Sequence, residues 1–433
     1  MIFDKYDSYK DSGVDWLGEI PSHWRVKRVK DFCKVNKETL SENRIFNKEI
    51  AYVDIGSVDA NYGITTVENM YFSEAPSRAR RIVRNGDIII STVRTYLKAI
   101  AYIDKNFTGS IVSTGFATLT PNNGLISKYL YYSVFSNYFI ERIIAYSVGV
   151  SYPAIDSSFL RCNFVLIAKK EEQIKISNFL DQKTSQIDIK IKLLQEKKES
   201  YEELKKSLIN ETVCHGLYKD VELKESGIEW IGKIPKHWKI ERLKDQFSLI
   251  PSGIYSFKEE KDYLSTKSIS INKIEKIEEK ITFKKRPSRA NMQPIINSVW
   301  FAKLRFTKKS YLFDDLEEAK KYILSTGFAG LRTKNINSKF VNYYICSEYF
   351  LYQKDSTSHG TTQEAITEPN INQIIFICPP KEEQIQIANY LDNNTLKIDK
   401  IVSKINDQIE TLKELRKTLI NDLITGKVKI QDE

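Results

Sequence analysis

The residues best equipped for chemistry in this 433-residue chain are basic and fall into two blocks. Arg78, Arg80, Arg81, Arg84 and Arg94, with Tyr96 and Lys98, make up the first; Lys284, Lys285, Arg286, Arg289, Lys303, Arg305, Lys308 and Lys309 make up the second. Arg78 and Arg289 are 211 residues apart, and so are Arg94 and Arg305. Side chains of this kind meet anionic oxygens. The whole chain leans the same way: 66 Lys and Arg against 56 Asp and Glu leave a formal charge of +10 and a pI near 9.0, a balance that favours a polyanionic partner. A Lys-rich composition produces the same balance unaided, so charge alone decides nothing. Further along, Gly149-Val150-Ser151-Tyr152-Pro153 and Gly360-Thr361-Thr362-Gln363-Glu364 each lead into Ala-Ile. Two loops therefore occupy equivalent places with different side chains.

Catalytic chemistry has no comparable footing. The four histidines, His23, His215, His237 and His359, show no ligand spacing. His23 and His237 fall at equivalent places in a repeated segment, where packing or a turn is the expected role. The five cysteines, Cys33, Cys162, Cys214, Cys346 and Cys378, are scattered without a Cys-x-x-Cys pair, which indicates neither zinc nor a disulfide framework and fits a reducing cytosol. Ile377-Cys378-Pro379-Pro380 lacks the polar residue and the aromatic ring of the loop with which adenine methyltransferases grip a base; it reads as a strand ending before a helix. Thr425-Gly426-Lys427 lacks the earlier glycine and the following Ser or Thr of a phosphate loop. Acid-x-Lys triplets such as Glu222-Leu223-Lys224 lie in a linker and do not indicate a nuclease. No catalytic residue, bound cofactor or metal ligand is assigned. The opening MIFDKYDSYK carries acids, and no run approaches 18 apolar residues, so neither a signal peptide nor a membrane span is expected.

The elements that must position the basic blocks are themselves duplicated. Ser12-Gly13-Val14-Asp15-Trp16-Leu17-Gly18-Glu19-Ile20-Pro21-Ser22-His23-Trp24 returns as Ser226-Gly227-Ile228-Glu229-Trp230-Ile231-Gly232-Lys233-Ile234-Pro235-Lys236-His237-Trp238. Pro76-Ser77-Arg78-Ala79, Ser113-Thr114-Gly115-Phe116-Ala117 and Lys170-Glu171-Glu172-Gln173-Ile174 recur 211 or 212 residues later. A period this long exceeds the roughly 20 to 50 residues of a solenoid unit and means two copies of one folding unit, a single-chain pseudo-dimer with a two-fold axis available to it. An aromatic content of 12% speaks against disorder. Residues 25 to 168 carry short runs such as Ile50-Ala51-Tyr52-Val53 and Asp87-Ile88-Ile89-Ile90-Ser91, the pattern of strands between turns. Helical spacing over Ser127 to Ala145 predicts a helix there.

From Lys169 no Pro or Gly occurs until Gly216, which predicts an uninterrupted helix. Ile187, Leu194, Tyr201 and Leu208 are seven apart, with Ile191 on the companion seam; Ile398, Ile405, Leu412 and Leu419 repeat the stripe, with Val402 and Ile409 beside it. Two matching stripes predict a coiled-coil pair, each helix about 30 residues or about 45 Å long at about 1.5 Å per residue. The alternative is that each amphipathic helix packs only on its own domain, but a seam this narrow suits one partner helix better than a sheet.

These segments together resemble the specificity subunit of a type I restriction-modification system. The likeness rests on Ser-Gly-x-x-Trp-x-Gly-x-x-Pro-x-x-Trp opening each half and on Glu-Glu-Gln-Ile followed by Phe179-Leu180-Asp181 or Tyr390-Leu391-Asp392. Ser207-Leu208-Ile209-Asn210 and Thr418-Leu419-Ile420-Asn421 close the long helices, and Leu423-Ile424-Thr425-Gly426-Lys427-Val428 ends the pattern. The resemblance spans essentially the whole chain and implies an α+β architecture. Two tandem mixed α/β target-recognition domains, 1–168 and 218–380, are joined by helical spacers, 169–217 and 381–433, that form an antiparallel, pseudo-two-fold coiled coil.

It further implies a cytoplasmic, non-catalytic subunit that binds a bipartite double-stranded DNA target and assembles with two modification subunits and, through them, restriction subunits. S-adenosylmethionine would belong to the modification subunits, and ATP and Mg to the restriction subunits. Phosphate contacts call for Lys and Arg, and base readout for Arg, Asn, Gln, Ser or Thr on loops. The expected DNA-contacting residues are therefore Arg78, Arg80, Arg81, Arg94, Tyr96, Lys98, Ser151 and Tyr152 in the first half. In the second they are Lys285, Arg286, Arg289, Lys303, Arg305, Thr361, Thr362 and Gln363. Shared positions suit phosphates, and differing ones suit bases. A helical scaffold that binds only protein is the rival, as is a self-contained enzyme.

Overall fold

Runs such as Ile88-Ile89-Ile90 are apolar at every position because the strand they form is covered on both faces. Ile88 and Ile90 point into a core shared with helices, whereas Ile89 points into a second core between two sheets. Val299 and Phe301 against Trp300 and Ala302 repeat the alternation in the second half. The computed structural model describes residues 3–14, 16–41, 48–60, 62–122, 124–218, 220–229, 231–361 and 363–431.

In the first half, strands β1 (Cys33–Val35), β2 (Glu49–Val53), β3 (Glu68–Tyr71), β4 (Ala79–Ile82), β5 (Ile88–Ser91), β6 (Ile100–Tyr102), β7 (Ile111–Ser113) and β8 (Phe116–Pro121) form two four-stranded sheets. One runs β6-β5-β8-β1 and is antiparallel; the other runs β3-β2-β7-β4, with β2 and β7 parallel. The second half repeats both with β9 (Phe247–Leu249), β10 (Lys261–Leu264), β11 (Glu279–Ile281), β12 (Ala290–Met292), β13 (Ser298–Ala302), β14 (Ser310–Phe313), β15 (Tyr322–Ser325) and β16 (Phe328–Thr333). Their orders are β9-β16-β13-β14 and β11-β10-β15-β12, again with one parallel pair, β10 and β15.

The expected single helix over 127–145 is two: α1 (Ser127–Phe135) and α2 (Asn137–Ala145), broken at Ser136, whose backbone is extended. One local and one long-range hydrogen bond accompany the break. The Ser136 hydroxyl donates to the Ser133 carbonyl, and the backbone N–H of Asn137 donates to the side-chain oxygen of Asn421, 3.3 Å away. After the long helix α3 (Lys170–His215) the second half repeats the device in α4 (Ser338–Cys346) and α5 (Glu348–Ser356), where Glu348 N–H donates to Asn210 at 2.9 Å. The Leu-Ile-Asn segments thus end in an asparagine that takes one of the N–H groups a helix start leaves without an intrahelical partner.

The last helix, α6, spans Lys381–Ile424. It and α3 have 44 and 46 residues, longer than the heptad stripe suggested, because their first turns bury against sheet and helix cores through Ile176 and Leu180, or Ile387 and Leu391. The chain divides into two compact units, 1–194 with 407–433, and 195–406. Within the first unit Arg416 of α6 pairs with Asp188 of α3 at 3.1 Å; within the second Lys205 of α3 pairs with Asp399 of α6 at 2.7 Å. Numbers rise along one helix as they fall along the other, so the pair is antiparallel. Ile187, Ile191, Ile398, Ile405 and Ile409 are buried, and Leu194, Tyr201, Leu208, Val402, Leu412 and Leu419 half-buried, while Ile189, Leu193, Leu204 and Leu415 lie exposed. Among the described residues no helix is long and apolar enough to cross a membrane.

The recurring motifs fasten globular part to helix. Trp24 and Trp238 are fully buried, and each indole N–H donates to a helix glutamate, Glu172 at 3.0 Å and Glu383 at 2.9 Å, which also hold His23 and His237. Gln173 and Gln384 each accept a backbone N–H, from Ile126 and Asn337, both at 2.9 Å. Asp181 and Asp392 accept the hydroxyls of Tyr132 and Tyr343 at 2.6 and 2.7 Å. Both histidines are themselves exposed, and each lends its imidazole to its helix glutamate rather than packing into a core.

Candidate nucleic-acid interface

One edge of each unit gathers several of the expected contact residues, and a backbone relay builds it. In the first unit Thr114 N–H donates to the Arg78 carbonyl at 2.8 Å, Thr92 N–H to Gly115 at 2.8 Å, and Ile155 N–H to Thr92 at 2.9 Å. In the second, Thr326 donates to Arg289 at 2.9 Å, Lys303 to Gly327 at 2.9 Å, and Ile366 to Lys303 at 3.0 Å. The same four segments are therefore stitched side by side in both units. Relay bonds are between main-chain atoms, so they fix where the loops stand without specifying the side chains the loops carry.

The loops are closed by further pairing. Val148 bridges Ala154 and Val93 bridges Ala154 in the first unit; His359 and Leu304 bridge Ala365 in the second. Gly149 and Gly360, at φ +122° and +149°, occupy the turn, where a side chain would press on the carbonyl oxygens of Tyr152 and Gln363. Glycine is needed there for both reasons.

In the first unit Arg94 meets the loop that carries Ser151 and Tyr152, while Tyr96 and Lys98 follow Arg94 in the same turn. Arg94 N–H donates to Pro153 at 2.7 Å, its guanidinium lies 4.4 Å from the Tyr152 ring centroid, and Thr95 and Ser147 share a hydroxyl hydrogen bond of 2.6 Å. A cation over a ring face is held by the ring's quadrupole. In the second unit Lys303 and Arg305 bond by their main chains to Ile366 and Glu364, at the end of the loop that carries Thr361 and Gln363; Thr362 lies outside the described residues. Arg305 forms an ion pair with Glu364, while its guanidinium also lies 4.6 Å from the centroid of Phe306. Beneath this loop Lys354, 1% exposed, donates to the carbonyls of Leu304 and Thr307 at 2.9 and 3.1 Å. Burial pulls its ammonium below the ordinary lysine range, an effect Asp355 beside it opposes.

Other expected residues are placed elsewhere or are already engaged. Arg78 reaches Asp54 at 2.8 Å, and Arg80 turns to the carbonyls of Ser77 and Ser41. Arg81 is half-buried, with no hydrogen-bond partner for its Nε. Lys285 is exposed in a turn, and Arg286 folds onto its neighbour Phe283. No hydrogen bond or ion pair among the described residues ties these last two to the loop edge.

Besides Tyr96 and Tyr152, which were expected there, the edge holds Leu97, Tyr146, Val148 and Val150, which a search for polar and charged groups passes over. Tyr96, Leu97, Tyr146, Val148, Val150 and Tyr152 are all exposed, Val150 completely. Their counterparts, 211 residues on, are Thr307, Lys308, Thr357, His359, Thr361 and Gln363. All six apolar or aromatic positions of one unit are polar in the other, although the second unit adds an exposed Phe306 next to Arg305. Subtracting one copy of the repeat from the other would have exposed the contrast in the sequence.

Comparison with known proteins places this geometry. The family described as the type I restriction modification DNA specificity domain matches residues 21–199 and again 235–411. The chain is 23% identical over 436 residues to the MjaIX specificity subunit of Methanocaldococcus jannaschii, covering 96% of each. It is 22% identical to that organism's MjaVIII specificity subunit, covering 100% of this chain and 98% of the relative. The HindI specificity subunit of Haemophilus influenzae is 25% identical over 190 residues, 43% of this chain and 40% of the relative.

Among solved structures, one from work on complex assembly and conformational transition of the type I R-M system superposes with a TM-score of 0.74 at 20% identity, covering 94% of this chain and 98% of that one. The HsdS subunit from Thermoanaerobacter tengcongensis superposes with a TM-score of 0.54 at 20% identity and the same coverage. With one family domain in each half, and relatives that are specificity subunits rather than enzymes, this chain belongs to the type I restriction-modification DNA specificity family.

Proposed function

We propose that the chain is the sequence-specific DNA-binding subunit of a type I restriction-modification complex, each unit reading one half of a bipartite double-stranded target. The observation that carries this is the pair of matching backbone relays presenting equivalent loops with different side chains. A bipartite target needs the same support twice and different contacts at each end. Arg78 and Arg289, Arg94 and Arg305, with Lys98 and Lys303, suit phosphates; Ser151 and Tyr152, and Thr361, Thr362 and Gln363, suit base edges. Arg80 and Arg286 contribute less, the one being held by the carbonyls of Ser77 and Ser41 and the other over the ring of Phe283, as does Arg81, which is half-buried; Lys285, exposed in its turn, suits a phosphate.

The recognition domains are taken as 1–168 and 218–380 and the spacers as 169–217 and 381–433, a division supported by helix starts at Lys170 and Lys381. The paired helices set the separation of the half-sites and dock two modification subunits, one for each copy of the repeated surface; restriction subunits join through them. Work on DNA, with cysteines that are free, fits the cytoplasm.

The test is to co-express the chain with its modification subunit and map N6-methyladenine over the host DNA. The expected result is a bipartite methylated motif that vanishes when this chain is omitted. An active, soluble complex that adds no motif would overturn the reading in favour of a protein-binding scaffold. Deleting one heptad from both long helices is expected to change the permitted spacing, and an unchanged spacing would end the role of the helices as a ruler.

A further inference from the structure

We infer that the first unit recognises its half-site through the methyl groups of thymine, a step that rests on the DNA-reading function proposed above. The observation is the exposed aliphatic tip of its loop. Val150 is fully exposed and Val148 is 81% exposed, on a turn fixed by Gly149 and by the pairing of Val148 with Ala154. Tyr152 stands beside them under the Arg94 guanidinium. The turn holds both valines away from the core, so the loop keeps an apolar patch in water, with Arg94 stacked on Tyr152 beside it. Contiguous exposed apolar surface of this kind marks a binding site.

The valine side chain has no donor or acceptor and can bind neither phosphate nor the polar edge of a base. The apolar group that a base pair presents in the major groove is the thymine C5 methyl. Arg94, beside the tip, would bring it against the duplex. The second unit has hydrogen-bonding groups at the same positions, His359, Thr361 and Gln363, and Gln is matched to the N6 and N7 of adenine. The two half-sites are then read by different physics on one scaffold.

The test uses the complex with its modification subunits and the motif found by methylation mapping, with exchange of residues 25–168 showing which half-site belongs to the first unit. A mapping that yields no bipartite motif defeats the earlier reading before this one is tried. Given a motif, deoxyuridine is substituted for thymine in the first unit's half-site, which removes the methyl and leaves every hydrogen bond in place. Binding is expected to weaken about fourfold for each methyl that is buried. The double variant Val148→Ser, Val150→Ser, altered only at exposed positions, is expected to bind thymine and deoxyuridine duplexes equally and to relax methylation at that half-site alone. Three results would overturn the inference: a first half-site made only of G·C pairs, equal binding of both duplexes by the unaltered protein, or a double variant that still prefers thymine. A wedge inserted between base steps would lose affinity in the variant but show no deoxyuridine effect, and so falls among these.

Discussion

Trp24 and Trp238 stand in the same surroundings, buried, each donating to a helix glutamate, while Val150 and Thr361, on loops held by matching relays, have the same size but differ in the power to hydrogen-bond. The contrast separates two kinds of constraint. A buried indole N–H must be satisfied and a buried ring must be packed around, so both copies keep the same residues. A loop whose position is set by main-chain bonds leaves its side chains free to suit whatever they touch.

Replacing residues 25–168 with the corresponding segment of another family member should give the largest effect, a methylated motif changed in one half and untouched in the other. Changes in both halves would show that the edges are coupled. Next in size, Trp24→Ala and Trp238→Ala should each cost about 3–5 kcal/mol through the cavity left behind, and each should loosen its own unit. Cys33 in the first unit and Cys214 in the second are buried, and burial pushes the Cys33 thiol up to about 12. Thiol labelling should therefore speed up at Cys33 in the first variant and at Cys214 in the second; labelling that rises equally at both would mean the units unfold as one.

How much of this was legible beforehand differs between skeleton and edge. The 211-residue displacement disclosed two units and equivalent loops, and the heptad stripe disclosed the helix pair, because both are patterns within the chain. The tasks of Glu172, Gln173, Asp181 and Asn421 were not legible, since their partners lie between 47 and 284 residues away. For the same reason the break at Ser136 was hidden. Serine is tolerated inside a helix and favoured at the start of one, so its type alone did not place the break, and the Asn421 bond that accompanies it comes from the far end of the chain. At the edge, Arg94 and Tyr152 were expected as separate contact residues, but their stacking needs the fold, as does the seat of Arg286 over Phe283.

Smaller effects would sharpen the comparison at the loops. Gly149→Ala and Gly360→Ala force a side chain into positive φ, at about 1–3 kcal/mol each. Gly360→Ala should be the worse, because its new methyl group meets the Gln363 carbonyl more closely than that of Gly149→Ala meets Tyr152. Binding of the two half-sites, measured on separate duplexes, would rank them, and equal losses would show that the loops yield alike. Asn210→Ala and Asn421→Ala should cost about 1 kcal/mol apiece, as the loss of a helix cap does. Each should be visible as a lower denaturation midpoint of the unit concerned.

The first unit is completed by residues 407–433, and Lys429 exchanges two main-chain hydrogen bonds with Asp4, at 2.8 and 3.3 Å. The second unit needs only residues 195–406. A ribosome therefore releases everything the second unit requires before it has made the last piece of the first. The domain translated first is the one that must wait, with a sheet core formed and a helix surface uncovered until the closing segment arrives. A premature stop within codons 407–433 would damage the first unit more than the second.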